Sequence, residues 1–171
     1  HAAACGSENK NRYICISEES EGACPDTLFE TLPAIALLSK VFPDIEIWVC
    51  KDRDMSSGVL NDEQDRQRYL SLNPQNHRVI KRWELENYLY DKEVLRAYCS
   101  LNKLHFSEED YDSFVTDIIN QHVKDETGRI KNFCNLNMSI NADRFKIELS
   151  KCITPDMNVY KELEACIFRR L

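Results

Sequence analysis

The sequence predicts an α/β fold in which a mainly parallel sheet is followed by a helical C-terminal half. Three observations carry this expectation. RYICI (12–16) and IEIWVC (45–50) are apolar, β-branched runs of strand length. Segments with helical spacing of apolar residues alternate with them. Beyond about residue 100 the strand-like runs stop and the remaining segments carry helical patterns.

The elements follow in order. Residues 1–11 form a polar lead without an initiator methionine, which suggests a processed or truncated start. RYICI is a short buried strand. Asp26 is an N-cap candidate for a helix through TLFETLPAIALLSKVF, kinked or started late by Pro33. IEIWVC reads as a strand covered on both faces. A loop at 55–61 leads to DEQDRQRYLSL, a short amphipathic helix with acids first. HRVIKRW (77–83) is a further strand, and ELENYLYDKEVLRAYCSL turns helical with Leu85, Leu89, Val94, Leu95 and Tyr98 available for burial. Ser107 opens a helix with a capping box to Asp110, and Phe114, Ile118 and Ile119 supply its apolar face. Thr154 and Pro155 form a cap-plus-first-turn start for VYKELEACIFRRL. The expected organisation is therefore an α/β core over 12–100 and a helical extension packed on it over 101–171.

Composition narrows the function classes. With 171 residues, 43% of them apolar, the chain can bury a core of ordinary domain size. No run approaches the roughly 18 apolar residues of a membrane span, and the opening lacks a signal-peptide stretch, so a cytoplasmic protein without a membrane partner is expected. Eight cysteines are scattered without a CxxC pair and several lie inside apolar patterns, which favours buried thiols over disulfides or a zinc cluster. A P-loop, a GxSxG elbow, an HExxH helix and a GxGxxG turn are all absent from the sequence. The net charge of −7 runs against polyanion binding, yet Arg66, Arg68, Arg78, Lys81 and Arg82 form a dense basic stretch. Of these, Arg78, Lys81 and Arg82 are candidates for nucleic-acid contact, the alternative being a solvated surface.

Chemistry is concentrated at two acidic elements. Asp52 and Asp54 follow IEIWVC, at the carboxyl end of a strand, where open parallel sheets gather their active groups. Two carboxylates spaced i, i+2 offer hard oxygen ligands to Mg²⁺. Glu84 and Glu86 stand at the junction between HRVIKRW and the helix that follows. Carboxylates brought together at one sheet edge repel unless a cation is present, so the grouping points to a divalent-metal site. The alternative is that Glu84 and Glu86 serve only a helix N-terminus.

An apolar strand ending in DRD, followed by a later strand leading into ELENYLYDKEVL, resembles the TOPRIM domain of nucleases of the overcoming-lysogenization-defect (OLD) type and related ATPase-associated proteins. The likeness spans about residues 44–97 and rests most on ELENYL. It implies a TOPRIM-like, Rossmann-like fold, Mg²⁺ or Mn²⁺ as cofactor, and endonucleolytic hydrolysis of DNA or RNA, often in phage defence. By position, Asp52 and Asp54 would be metal ligands, and Glu86 or Glu84 the later acidic ligand, with Asp52, Asp54 and Glu86 as the catalytic set. It also implies an ATPase domain or subunit outside this chain, and it is compatible with a homo-oligomer. The family's first acidic element, a strand followed by glutamate, has its nearest counterpart in EGACPD (21–26), preceded by polar SEES. RYICI is therefore taken as the second strand, with the first upstream or absent. Lys103, Lys124 and Lys131 are candidates for a basic residue beside the metals. The alternative function is a catalytically silent interaction or regulatory module of an ATPase system.

Overall fold

A computed structural model of the chain describes residues 12–17, 37–38, 40–41, 43, 45–53, 63–72, 77–136 and 140–168, with the backbone alone at 12–17, 45 and 46. Asp54, EGACPD and nearly all of the helix expected from Asp26 lie outside these residues. The fold is mixed α/β and mostly helical, with a small parallel sheet. No helix among the described residues is long and apolar enough to cross a membrane.

The chain divides into two compact units, His1–Val79 and Ile80–Leu171. The first holds the sheet, in the order β1-β2-β3. Strand β1 (Arg12–Ser17) pairs in parallel with β2 (Ile45–Lys51), Arg12 opposite Ile45 and Ser17 opposite Cys50. Strand β3 (His77–Val79) pairs in parallel with the end of β2, Val49 opposite His77 and Lys51 opposite Val79. Successive residues Ile47, Trp48 and Val49 are all buried, which requires cover on both faces of β2, since consecutive strand side chains point to opposite sides. Leu38 packs on Ile47 and Val49. The connection from β2 to β3 includes helix α1 (Glu63–Leu72). Its buried Arg66 donates from Nε to the Val79 carbonyl at 2.9 Å and pairs with Glu63 at 2.7 Å, tying helix to strand.

Strand β3 stops at Val79, short of the expected residue 83. The reason lies in where the next backbone donors go. The N–H groups of Lys81 and Arg82 donate to the Tyr88 hydroxyl at 3.2 and 3.3 Å, and that of Trp83 donates to the Ile119 carbonyl at 2.7 Å. Those donors are taken locally, so no ladder forms.

The second unit is helical. Helix α2 (Glu86–Leu89) is a single short turn, and α3 (Lys92–Asn102) restarts after it because Asp91, in extended backbone, accepts from the Glu93 N–H at 2.9 Å as an N-cap. Helix α3 buries Val94, Leu95, Tyr98 and Cys99 on one face and ends at Lys103, whose φ of 56° is the left-handed stop. The boundary between units thus falls upstream of the change of pattern near residue 100, because the ELENYL segment packs with the later helices.

Helix α4 (Glu108–Phe114) is shorter than expected, and the capping box is not made: the Ser107 side chain forms no cap hydrogen bond. The chain leaves the helix because Asp117 Oδ1 accepts the N–H groups of Ile119 and Asn120 at 3.0 and 3.1 Å, a local turn that competes with helix. A 3₁₀ turn at Lys124–Glu126 leads into α5 (Thr127–Phe133), and α6 (Ala142–Ser150) is capped by Asn141 accepting from the Arg144 N–H at 2.8 Å. Helix α7 (Asn158–Ile167) begins after the expected Thr154–Pro155 start. Thr154 instead closes a turn, its hydroxyl on Asp156 and its carbonyl accepting the Met157 N–H. The first turn of α7 is satisfied from α3, where Glu93 Oε1 accepts the Val159 N–H at 2.7 Å.

The core of the second unit centres on Phe145, fully buried, stacked on Tyr90 with centroids 6.5 Å apart and edge-on to Tyr98 at 5.4 Å. Leu89, Val94, Leu95 and Tyr98 are buried as the pattern predicted, but Leu85 is 49% exposed while its neighbours Glu84, Glu86 and Asn87 are buried. The Leu85 expectation fails because this turn points Glu84 and Asn87 inward to bind backbone and Glu86 inward to meet Lys146. Cys99, Cys134 and Cys152 are buried free thiols, and Cys50 and Cys166 are half-buried. Phe145→Ala is expected to destabilise the second unit by about 3–5 kcal/mol, the range for a buried aromatic truncated in a packed core, measured by urea denaturation.

Candidate functional site

Every polar residue of ELENYL is buried, and most of them hold a neighbouring segment in place. Asn87, with no exposed surface, donates from Nδ2 to the carbonyls of Ile118 and Gln121, both at 2.8 Å, and accepts the Glu84 N–H on Oδ1 at 3.0 Å. The two donated bonds serve the turn after α4, and the accepted one closes Asn87's own turn. Glu84, also without exposed surface, accepts the N–H groups of Val123 and Lys124 on Oε1, at 2.8 and 2.5 Å. Its Oε2 stands 3.1 Å from His122 Nδ1, at ion-pair distance without the alignment of a hydrogen bond. The Glu84 and Asn87 side chains thus clamp residues 118–124 onto the start of α2.

Electrostatics follow from this burial. Desolvation pushes the Glu84 carboxyl above its ordinary range, while the Val123 and Lys124 N–H groups and the charge of His122 pull against it. Burial alone would lower His122, but its contacts with Asp125 and Glu84 outweigh that and leave the imidazole raised. The Tyr90 hydroxyl, bonded to Thr127 at 2.6 Å, is pushed up to about 12 by burial.

Glu86 differs from its neighbours. It is 9% exposed, and its Oε1 receives Lys146 Nζ of α6 at 2.7 Å. Its known partner is thus a side-chain cation and not a backbone segment.

The sequence-predicted residues divide accordingly. Asp52 is half-buried and is the first residue beyond β2, in the first unit; Glu84 and Glu86 belong to the second. Among the described residues no group of three His, Cys, Asp or Glu side chains is placed to hold a metal ion. Of the basic candidates, Arg78 is buried with its guanidinium 4.7 Å from the Trp48 ring centre and donates to the His77 carbonyl. Arg82 is buried too, over the Tyr88 ring at 4.6 Å, bonded to Asp91 at 2.6 Å, Glu162 at 3.1 Å and the Asn87 carbonyl at 2.8 Å. Burial works against its charge, yet Asp91 and Glu162 leave its pKa raised. Both arginines are thus structural anchors, and Lys81, half-exposed and 3.9 Å from Glu162, is the most accessible of the three. Among the lysines, Lys131 donates to the Ile140 carbonyl and Lys103 terminates α3.

Lys146 and His122 were missed by sequence reasoning. Lys146 sits in NADRFKIELS, sixty positions from Glu86 in the hydrogen bond they share, and no spacing rule links the two. No protein-family model matches the chain, and no curated protein or solved structure matches it significantly.

Asn87→Ala leaves two carbonyls without their donor and is expected to destabilise the second unit by about 1–3 kcal/mol. Amide hydrogen exchange should accelerate at residues 119–124, and a uniform effect across the unit would contradict the clamp. The raised His122 contributes stability in full below its ordinary value of 6.5, and loses it as pH rises through the raised folded value. Melting curves of His122→Ala against the parent should therefore differ most at acid pH and converge at alkaline pH.

Proposed function

We propose that the chain is a TOPRIM-type, metal-dependent nuclease module that hydrolyses phosphodiester bonds of DNA or RNA, with Asp52, Asp54 and Glu86 as its carboxylate ligands. The observation that carries this reading is the position of Asp52. It is the first residue beyond the central strand of a parallel sheet, at the carboxyl edge where such sheets assemble active groups. The ELENYL element supplies the second half of the support, and within it the geometry favours Glu86 over Glu84. Glu84 Oε1 already accepts the Val123 and Lys124 N–H groups and its Oε2 faces His122, so a ligand role would compete with the fold, whereas Glu86 meets a side-chain lysine.

The donor chemistry fits Mg²⁺ or Mn²⁺, since carboxylate oxygens are the hard ligands these ions take. When bound, such ions supply an activated water and stabilise the leaving oxygen of an in-line displacement. The chain's own residues set the geometry: Glu84 and Asn87 fix the turn that carries Glu86, and Lys146 orients its carboxylate. An ATPase domain or subunit outside this chain belongs to the same proposal. A second reading, a catalytically silent interaction module, is favoured by the burial of Arg78 and Arg82, which removes two cations from the surface a polyanion would meet.

Cleavage of supercoiled plasmid and of single- and double-stranded oligonucleotides with Mg²⁺ or Mn²⁺ separates the two. Asp52→Asn and Glu86→Gln are each expected to lower the rate by at least the roughly 10–100-fold that removal of an outer-shell partner costs. Undiminished cleavage in both variants would overturn the ligand assignment, and a parent chain inert on every substrate with either metal supports the silent module.

A further inference from the structure

Cys99 lies on the buried face of α3, and Cys134 follows the last residue of α5; both are buried and neither is in a disulfide. Their thiols are hydrogen-bonded to each other across these separate elements. Backbone bonds hold the two ends together. The Cys99 carbonyl accepts the Leu104 N–H at 2.8 Å, and the residues that follow fasten to the end of α5. There the Ser107 N–H donates to the Phe133 carbonyl at 2.8 Å, and Asn135 Nδ2 donates to the His105 carbonyl at 3.3 Å. Cys134 is thus flanked on both sides by residues bonded to the segment that leaves α3. The approach of the two sulfurs is set by the backbone and not by one side-chain rotamer. We propose that Cys99 and Cys134 form a reversible disulfide, a redox lock that joins the end of α3 to the end of α5 when a peroxide oxidises the pair.

The inference is independent of the nuclease reading, since neither thiol belongs to the carboxylate site. Desolvation pushes both thiols up, but the bond between them offsets the rise at Cys99 and adds to it at Cys134, so Cys99 ionises first. Its thiolate attacks the peroxide, forming an S–O bond as the O–O bond breaks and one oxygen leaves as water. The Cys134 sulfur then attacks the sulfenic sulfur; the S–S bond forms, the S–O bond breaks, and the second oxygen leaves as water with the Cys134 proton. Two thiols lose two electrons and the peroxide gains them. A neighbouring thiol diverts the sulfenic acid from further oxidation, which a buried cysteine packed only as a small apolar residue does not. Cys152 is turned elsewhere, its thiol on the Glu148 carbonyl at 3.4 Å. The disulfide closes residues 99–134 into one loop that holds α4, the clamped residues 118–124 and α5, and such closure stabilises by restricting the unfolded chain.

The test is treatment of the folded, fully reduced chain with hydrogen peroxide, followed by alkylation of the remaining thiols in denaturant and peptide mapping by mass spectrometry. The expected product is a cross-linked pair of peptides carrying Cys99 and Cys134, returned to two alkylated thiols by dithiothreitol. Melting of the oxidised chain should rise by several degrees and fall back on reduction. Cys152→Ser should keep both the cross-link and the shift, whereas Cys99→Ser and Cys134→Ser should lose both. The peptide map is read on the parent chain, so it decides the matter even if a serine variant fails to fold. Recovery of Cys99 and Cys134 as alkylated thiols or as sulfinic acids, or linked to other cysteines in place of each other, overturns the proposal. A cross-link that forms without raising the melting temperature overturns the lock.

Discussion

The second unit depends on the clamp that Asn87 and Glu84 place on residues 118–124. Neither side chain has exposed surface, and together they engage the carbonyls of Ile118 and Gln121 and the N–H groups of Val123 and Lys124. Those backbone groups belong to the connection between α4 and α5, where only the short 3₁₀ turn at Lys124–Glu126 is regular and no ladder or α-helix satisfies them. Burying such a connection without partners would cost several unmade hydrogen bonds, and two buried side chains meet that need. The packing of α5, and with it Tyr90 on Thr127, follows from where the connection is held.

The clamp also explains why one short turn combines so many polar residues with so little exposure. A carboxylate that accepts two N–H groups on one oxygen is a fixed acceptor, and its geometry is dictated by the backbone it binds. A carboxylate two residues further on that meets a lysine is adjustable, because an ammonium on a long stem can move. Within one turn, Glu84 therefore holds backbone while Glu86 meets a side-chain cation. Arg82 completes the same logic: buried among Asp91, Glu162 and the Asn87 carbonyl, it ties the approach to this turn to α7.

In the first unit the corresponding constraint is coverage of β2 on both faces. Ile47, Trp48 and Val49 are buried in succession, and Arg66 fastens α1 to β3 through the Val79 carbonyl. Parallel pairing on both sides of β2 puts the carboxyl ends of all three strands at one edge of the sheet, with Asp52 just beyond β2.

Strand β2, the alternation that made the chain α/β, the burial of Val94, Leu95 and Tyr98, and the helices at 63–72 and 92–102 were determined by local patterns and were legible in the sequence. Helix ends and the strand at 77–83 were less so, because their limits are set by distant partners: Tyr88 ends β3, Glu93 satisfies α7, and Asp117 cuts α4 short. The acidic residues of the candidate site were visible as letters, but their roles were not. A glutamate whose oxygens bind backbone N–H groups thirty-nine and forty positions away, and another that meets a lysine sixty positions away, look alike in sequence. By itself the sequence determined which residue types stand at Asp52, Glu84 and Glu86, since composition and periodicity are local properties. Only the tertiary structure decided that Glu84 serves the fold and Glu86 faces Lys146, because a hydrogen bond depends on distance in space.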